Sequence, residues 1–145
     1  MSNEFIEEYN EFLSGEISAV ETYDLALKNA IQADVKDALL KCRDSHADRV
    51  AKLAARVANL GGKPVDGAGV WGSFATFIQK SAGNERDAIA LLEQSEAERL
   101  VRFEAQQHIV VSPVLDFLKD ELLPAQHVTH LTMSALLKSM LPLAS

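Results

Sequence analysis

A carboxylate stands in the middle of the best apolar seam in this chain. Ile6, Tyr9, Leu13, Glu16, Val20, Tyr23 and Leu27 follow one another in alternating steps of three and four, the period of a stripe that faces a helix-bundle core. Burying an ionised carboxylate without a partner costs several kcal/mol. Glu16 must therefore be neutralised, paired or metal-bound, and the rest of the chain has to hold its partner.

The remaining seams supply candidates. A first helix is expected from Ser2 or Asn3, either of which can cap it, to about Ala30, with Gly15 inside it read as a close helix contact in preference to room for a ligand or neighbouring backbone. A second follows a short turn, with Asp34 as N-cap. It carries Val35, Leu39, Cys42, His46, Arg49 or Val50, Leu53, Val57 and Leu60 on one stripe and ends at Gly61-Gly62-Lys63-Pro64. Between Gly61 and Gly83, regular structure breaks at Pro64, Gly67, Gly69 and Gly72. Val70, Trp71, Phe74, Phe77 and Ile78 then suggest a short amphipathic helix inside a long connection. The third helix begins at Asn84, with Ile89, Leu92, Glu96, Leu100 or Arg99, and Phe103 as its seam. Ser112-Pro113 restarts the chain for a fourth helix running to about Met140, kinked at Pro124, with Leu123, Gln126, His130, Met133, Leu137 and Met140 inward.

Four helices in 145 residues, with few Gly and Pro and scarce β-branched runs, predict an all-α fold: one four-helix-bundle domain over residues 1–145, its second and third helices joined by a long crossover. The balance of 14 Lys and Arg against 21 Asp and Glu, a net charge of -7, excludes the concentrated positive face that nucleic acid needs. A single cysteine, Cys42, excludes an internal disulfide. No apolar run is long enough to span a bilayer, and the N-terminus lacks the pattern of a signal peptide, so a cytoplasmic protein without a membrane partner is expected.

Each seam carries a ligand-type residue near its middle: Glu16, His46, Glu96 and His130, with Gln126 as a further polar intruder. The two halves repeat. Glu16 is followed by Tyr23 and then His46, and Glu96 by Phe103 and then His130. Two carboxylates and two imidazoles meeting at mid-bundle would suit iron, manganese or zinc. Tyr23 and Phe103 also read as core aromatics. Cys42, one turn before His46, reads as a soft ligand or an inert buried thiol.

The run from Glu16 to Tyr23 resembles the first helix of the bacterioferritin and rubrerythrin branch of the ferritin-like superfamily, where a metal-binding Glu precedes a Tyr by seven residues. His46-Ala47-Asp48-Arg49, with the exit at Leu60-Gly61-Gly62-Lys63-Pro64, resembles that branch's second helix. The resemblance implies an antiparallel bundle around a carboxylate-bridged dimetal centre, to which the second and fourth helices each give a Glu three residues before a His. Arg43 and His127 stand at those places. The two remaining carboxylates balance one divalent cation rather than two. The expected site is therefore one transition-metal ion, iron or another, held by Glu16, His46, Glu96 and His130, with His127 as an added ligand and Tyr23, Gln126 and Cys42 beside it.

That site implies iron, oxygen or oxidative-stress handling. The alternative is a metal-free bundle in which the Arg43 guanidinium neutralises the buried carboxylates and the protein serves as a stress-associated or partner-binding protein. A homodimer is expected in either case. No Gly-rich phosphate loop, nucleophile elbow or zinc-protease signature supports another enzyme chemistry.

Overall fold

A computed structural model describes residues 2–67 and 84–140, with backbone only at 2 and 3. Among the described residues there is no strand, and the helices are α1 (Ser2–Asn29), α2 (Ala33–Asn59), α3 (Glu85–Gln106), α4 (Val114–Phe117) and α5 (Leu123–Met140). The last two are joined by a π-helical segment, Leu118–Leu122, so that α4, the π segment and α5 form one composite fourth rod. The short helix expected around Val70–Ile78 lies outside the described residues. No described helix is long and apolar enough to cross a membrane.

The two helix hairpins follow from their short connections and paired seams. Asn10 lies against Lys63, Glu16 against His46 and Asp24 against Arg43, so α1 and α2 run in opposite directions. On the other side, Gln126 reaches Glu96 and His130 reaches Glu93, which pairs α3 with α5. The α2 seam matches the predicted stripe, with Val35, Leu39, Cys42, His46, Arg49, Leu53 and Val57 buried. Arg49, not Val50, is the inward residue of that alternative.

The helix ends are set by local chemistry. Asn84 caps α3 by accepting from the Asp87 amide. Gly61 takes φ +82° after α2, and the Gly61 and Gly62 amides bond back to Ala58 and Val57, a left-handed exit that glycine tolerates without Cβ strain. The predicted Asp34 cap is displaced: Gln32 holds the cap position without a side-chain bond, and Asp34 sits in the first turn. Glu85, at the start of α3, serves instead. Its carboxylate accepts from the Ile31 amide at 2.7 Å, the Gln32 amide at 3.3 Å and the Gln32 side chain at 2.9 Å, satisfying donors that a helix start leaves open and favouring the positive end of the α2 dipole.

The kink expected at Pro124 takes the form of the π segment. Proline removes one amide donor and crowds the carbonyl of the preceding turn. The chain widens just before it, where the Leu123 amide bonds back to the Leu118 carbonyl.

The core is split into two apolar clusters. One gathers Tyr23, Leu39, Cys42, Ile89, Leu92 and Met133, among others; the other includes Tyr9, Leu13, Leu53, Phe103, Phe117 and Leu122. Between them, on every long helix, lies a buried polar residue. Glu85→Ala should remove the shared cap of α2 and lower stability by about 1 kcal/mol, read as a lower urea midpoint with an unchanged m-value.

Candidate functional site

The polar layer between the clusters is built from six side chains, all at most 2% exposed: Glu16, His46, Arg49, Glu96, Gln126 and Thr129. Each sits where its helix crosses from one cluster to the other. On α1, Glu16 separates Leu13 from Tyr23. On α2, His46 and Arg49 separate Cys42 from Leu53. On α5, Gln126 and Thr129 separate the Leu122 cluster from Met133.

His46 bridges the two carboxylates. Its Nδ1 lies 2.5 Å from Glu16 Oε1 and its Nε2 2.7 Å from Glu96 Oε2. A neutral imidazole offers one donor and one lone pair, and a lone pair facing a carboxylate oxygen is repulsive. With both carboxylates ionised, both ring nitrogens must donate and the ring is an imidazolium. Tyr23 stacks on that ring, centroids 5.5 Å apart, and its hydroxyl donates to Glu96 Oε2 at 2.5 Å. Burial and the adjacent Glu96 charge push the Tyr23 hydroxyl well above its ordinary range, so it remains a donor.

Glu96 is the best-satisfied group of the layer. Besides His46 and Tyr23, its Oε1 accepts from Gln126 Nε2 and from Thr129 Oγ1, each at 2.7 Å. Burial favours the neutral acid, but His46 and these hydroxyl donors outweigh it and hold the carboxyl well below the usual carboxylate range. The Gln126 amide has one consistent orientation: its oxygen accepts from Arg49 Nη1 at 2.6 Å while its nitrogen donates to Glu96. Arg49 Nη2 donates to Thr129 Oγ1 and Ser45 Oγ, each at 3.0 Å.

Glu16 is less complete. Arg49 Nη1 stands 3.5 Å from Oε1 and Arg99 Nη1 4.0 Å from Oε2, and Oε2 is buried without a hydrogen bond, as are Ser18 Oγ and Arg49 Nε. Burial again raises the carboxyl, yet Arg49, then His46, then Arg99 bring it down to about 2. Burial and the nearby Glu96 push the Cys42 thiol up to about 12, which leaves it a neutral, unreactive packing group.

Of the residues expected at the site, Glu16, His46, Glu96, Tyr23 and Gln126 are brought together, and Cys42 packs one turn away. Three expectations need correction. Arg43 does not reach the buried carboxylates: it lies at the surface against Asp24 at 3.0 Å and Asp44 at 3.6 Å. His130 is half-buried on the α3-facing flank, 2.9 Å from Glu93, and His127 is exposed. The inward stripe of α5 runs Gln126, Thr129, Met133, Leu136, because a step of three after Gln126 serves a helix as well as a step of four. Arg49 is one of two residues that fit its seam position, and nothing in the sequence pattern around it marks a role. Thr129 gave no signal, since threonine is neither a charge nor a ligand of note.

The residues do not fit a metal. Among the described residues no three His, Cys, Asp or Glu side chains are grouped to hold an ion. His46 turns one nitrogen to each carboxylate, so it separates Glu16 and Glu96 instead of sharing a common centre with them. Arg49 adds a fixed positive charge where a dication would be repelled.

Residues 4–108 match the family model described as a domain of unknown function (DUF2383), and the chain belongs to that family. The matched span contains Glu16, His46, Arg49 and Glu96 and ends before Gln126 and Thr129. No curated protein and no solved structure matches the chain.

Two outcomes follow from the geometry. Arg49→Met should strand the buried carboxylates and cost on the order of 3–5 kcal/mol, whereas Arg43→Met at the surface should cost about 1 kcal/mol or less; urea unfolding of the pair separates the two arginines. Both carboxyls titrate lower in the folded chain than in the unfolded one, so the folded state binds fewer protons in acid. Stability should be intact above the ordinary Glu value of 4.5 and drain away as pH falls toward about 2, measured as melting temperature against pH.

Proposed function

We propose that this DUF2383 chain is a metal-free ferritin-like bundle whose own cations occupy the place of a dimetal centre, and that it works through its surface as a partner-binding protein. The observation that carries the reading is the register of the polar layer. A ferritin-like dimetal site takes one Glu from each of two helices and a Glu-x-x-His pair, three residues apart, from each of the other two. Glu16 on α1 and Glu96 on α3 are the single carboxylates. The inward pairs three residues apart are His46 and Arg49 on α2 and Gln126 and Thr129 on α5. His46 and Gln126 thus stand at the positions of the bridging carboxylates, and Arg49 and Thr129 at those of the histidines.

Charge supports the same reading. Four carboxylates around two dications are neutral, and so are two carboxylates with one imidazolium and one guanidinium. Arg49 takes the neutralising role that the sequence had suggested for Arg43. The shared start of α2 and α3, where Glu85 meets Gln32, fits two helices that run parallel across the bundle from each other, each packed against α1 and α5, the ferritin-like order. With no metal chemistry at its centre, the bundle's activity falls to its exterior. There, Val128 and Leu131, one turn apart on α5, are 53% and 66% exposed, a face suited to a second copy of the chain.

The experiment is a restoration. The quadruple variant His46→Glu, Arg49→His, Gln126→Glu and Thr129→His should bind about two Co(II) ions, seen as visible d–d absorption and a chelator-sensitive melting temperature, while the natural chain shows neither. Metal retained by the natural chain after reconstitution, with melting lowered by chelator, would overturn the reading. So would a folded quadruple variant that takes up no metal.

A further inference from the structure

The geometry points to a binding groove for a small amphipathic carboxylate between α1 and α3, anchored by Arg99. The groove has a volume of about 460 Å³, within the roughly 300–1,000 Å³ of small-molecule sites. Phe12, Phe103, Ile109 and Val110 give it an apolar lining, Gly15 contributes no side chain to its α1 wall, and Arg99 and Arg102 stand on the α3 side. Phe12 and Phe103 pack edge to face with centroids 5.5 Å apart, which makes a stiff aromatic surface rather than a collapsible one.

Arg99 is the reason to expect an anion. The polar layer is neutral without it, since Glu16 and Glu96 are balanced by Arg49 and the His46 imidazolium. Arg99 is therefore a surplus cation. Its side chain is 10% exposed, and its nearest carboxylate oxygen, Glu16 Oε2, lies 4.0 Å away. Among the described residues it makes no hydrogen bond. A guanidinium is a planar fork of five donors suited to two parallel bonds with a carboxylate. One that is nine-tenths buried, short of acceptors and open on one side to an apolar groove is ready to accept such a ligand.

Glu8 and Glu11 line the groove further toward the start of α1, away from the Gly15 and Arg99 level. They disfavour a ligand with negative charge at both ends, so the occupant is a monocarboxylate: its head on Arg99, its apolar body along Phe12, Phe103 and Val110. This inference does not depend on the metal-free reading of the polar layer for its geometry, and its test is separate from the cobalt experiment.

Sodium octanoate is the probe, titrated calorimetrically into the natural chain and into Arg99→Gln, with methyl octanoate as the uncharged control. Saturable octanoate binding that weakens at least tenfold in Arg99→Gln and is absent for methyl octanoate is the expected result. Should Arg99→Gln fail to fold, the Arg99 Nε–Hε resonance of the natural chain replaces it as the readout, and a saturable shift of that resonance with octanoate but not with its ester is expected. No octanoate binding to the natural chain, equal affinity in a folded Arg99→Gln, or an unmoved Arg99 resonance would each overturn the proposal.

Discussion

The interaction on which the structure depends is the placement of one imidazolium between two buried carboxylates. His46 comes from α2, Glu16 from α1 and Glu96 from α3, and both nitrogen–oxygen distances are 2.7 Å or less. In a low-dielectric interior each of these charges alone would be expelled or neutralised. Together, with Arg49 closing the balance and Tyr23, Gln126 and Thr129 filling the lone pairs of Glu96, they remain charged. The order of causes matters: burial opposes both carboxylates, and the α2 cations, joined by Arg99 at Glu16 and by the Tyr23 and Thr129 hydroxyls at Glu96, reverse its sign.

Such a layer specifies more than it stabilises. An apolar replacement of equal volume would be about as favourable, because desolvation consumes much of the Coulombic gain. A continuous apolar core would, however, let helices slide by a turn at small cost. Here each long helix carries its buried ionisable or amide group at one level, between two apolar clusters. A slip by one turn would drive Glu16 or Arg49 into leucines and leave its partners unpaired, so the layer fixes the register of the long helices.

How much of this was legible follows from which residues break a pattern. Glu16, His46 and Glu96 could be placed because an ionisable group in an apolar seam is a local contradiction, and local contradictions are visible one helix at a time. The α2 stripe was readable nearly whole. The arginine that balances Glu16 was not, because Arg43 and Arg49 lie six residues apart and the choice between them depends on the helix's rotation. The same ambiguity sent His130 inward in place of Thr129. After Gln126, steps of three and four describe the same stripe to within a side chain's width, and a search for ligands prefers histidine to threonine. Pro124 signalled a distortion but not its kind. The π segment that absorbs it re-aims everything beyond, including the two positions on which the reading of α5 depended.

The balance of charges in the polar layer is also difficult to alter one residue at a time. Placing a carboxylate at position 46 alone would set three carboxylates against Arg49 and Arg99 with no imidazolium between Glu16 and Glu96. Replacing Arg49 alone would leave the Gln126 oxygen without its donor and Glu16 without its nearest guanidinium. Each such change leaves a buried charge uncompensated at a cost of about 3–5 kcal/mol, a large share of a domain's total stability. A guanidinium tethered to its helix does not leave, so as pH falls the charge state of the core changes through protons on Glu16 and Glu96.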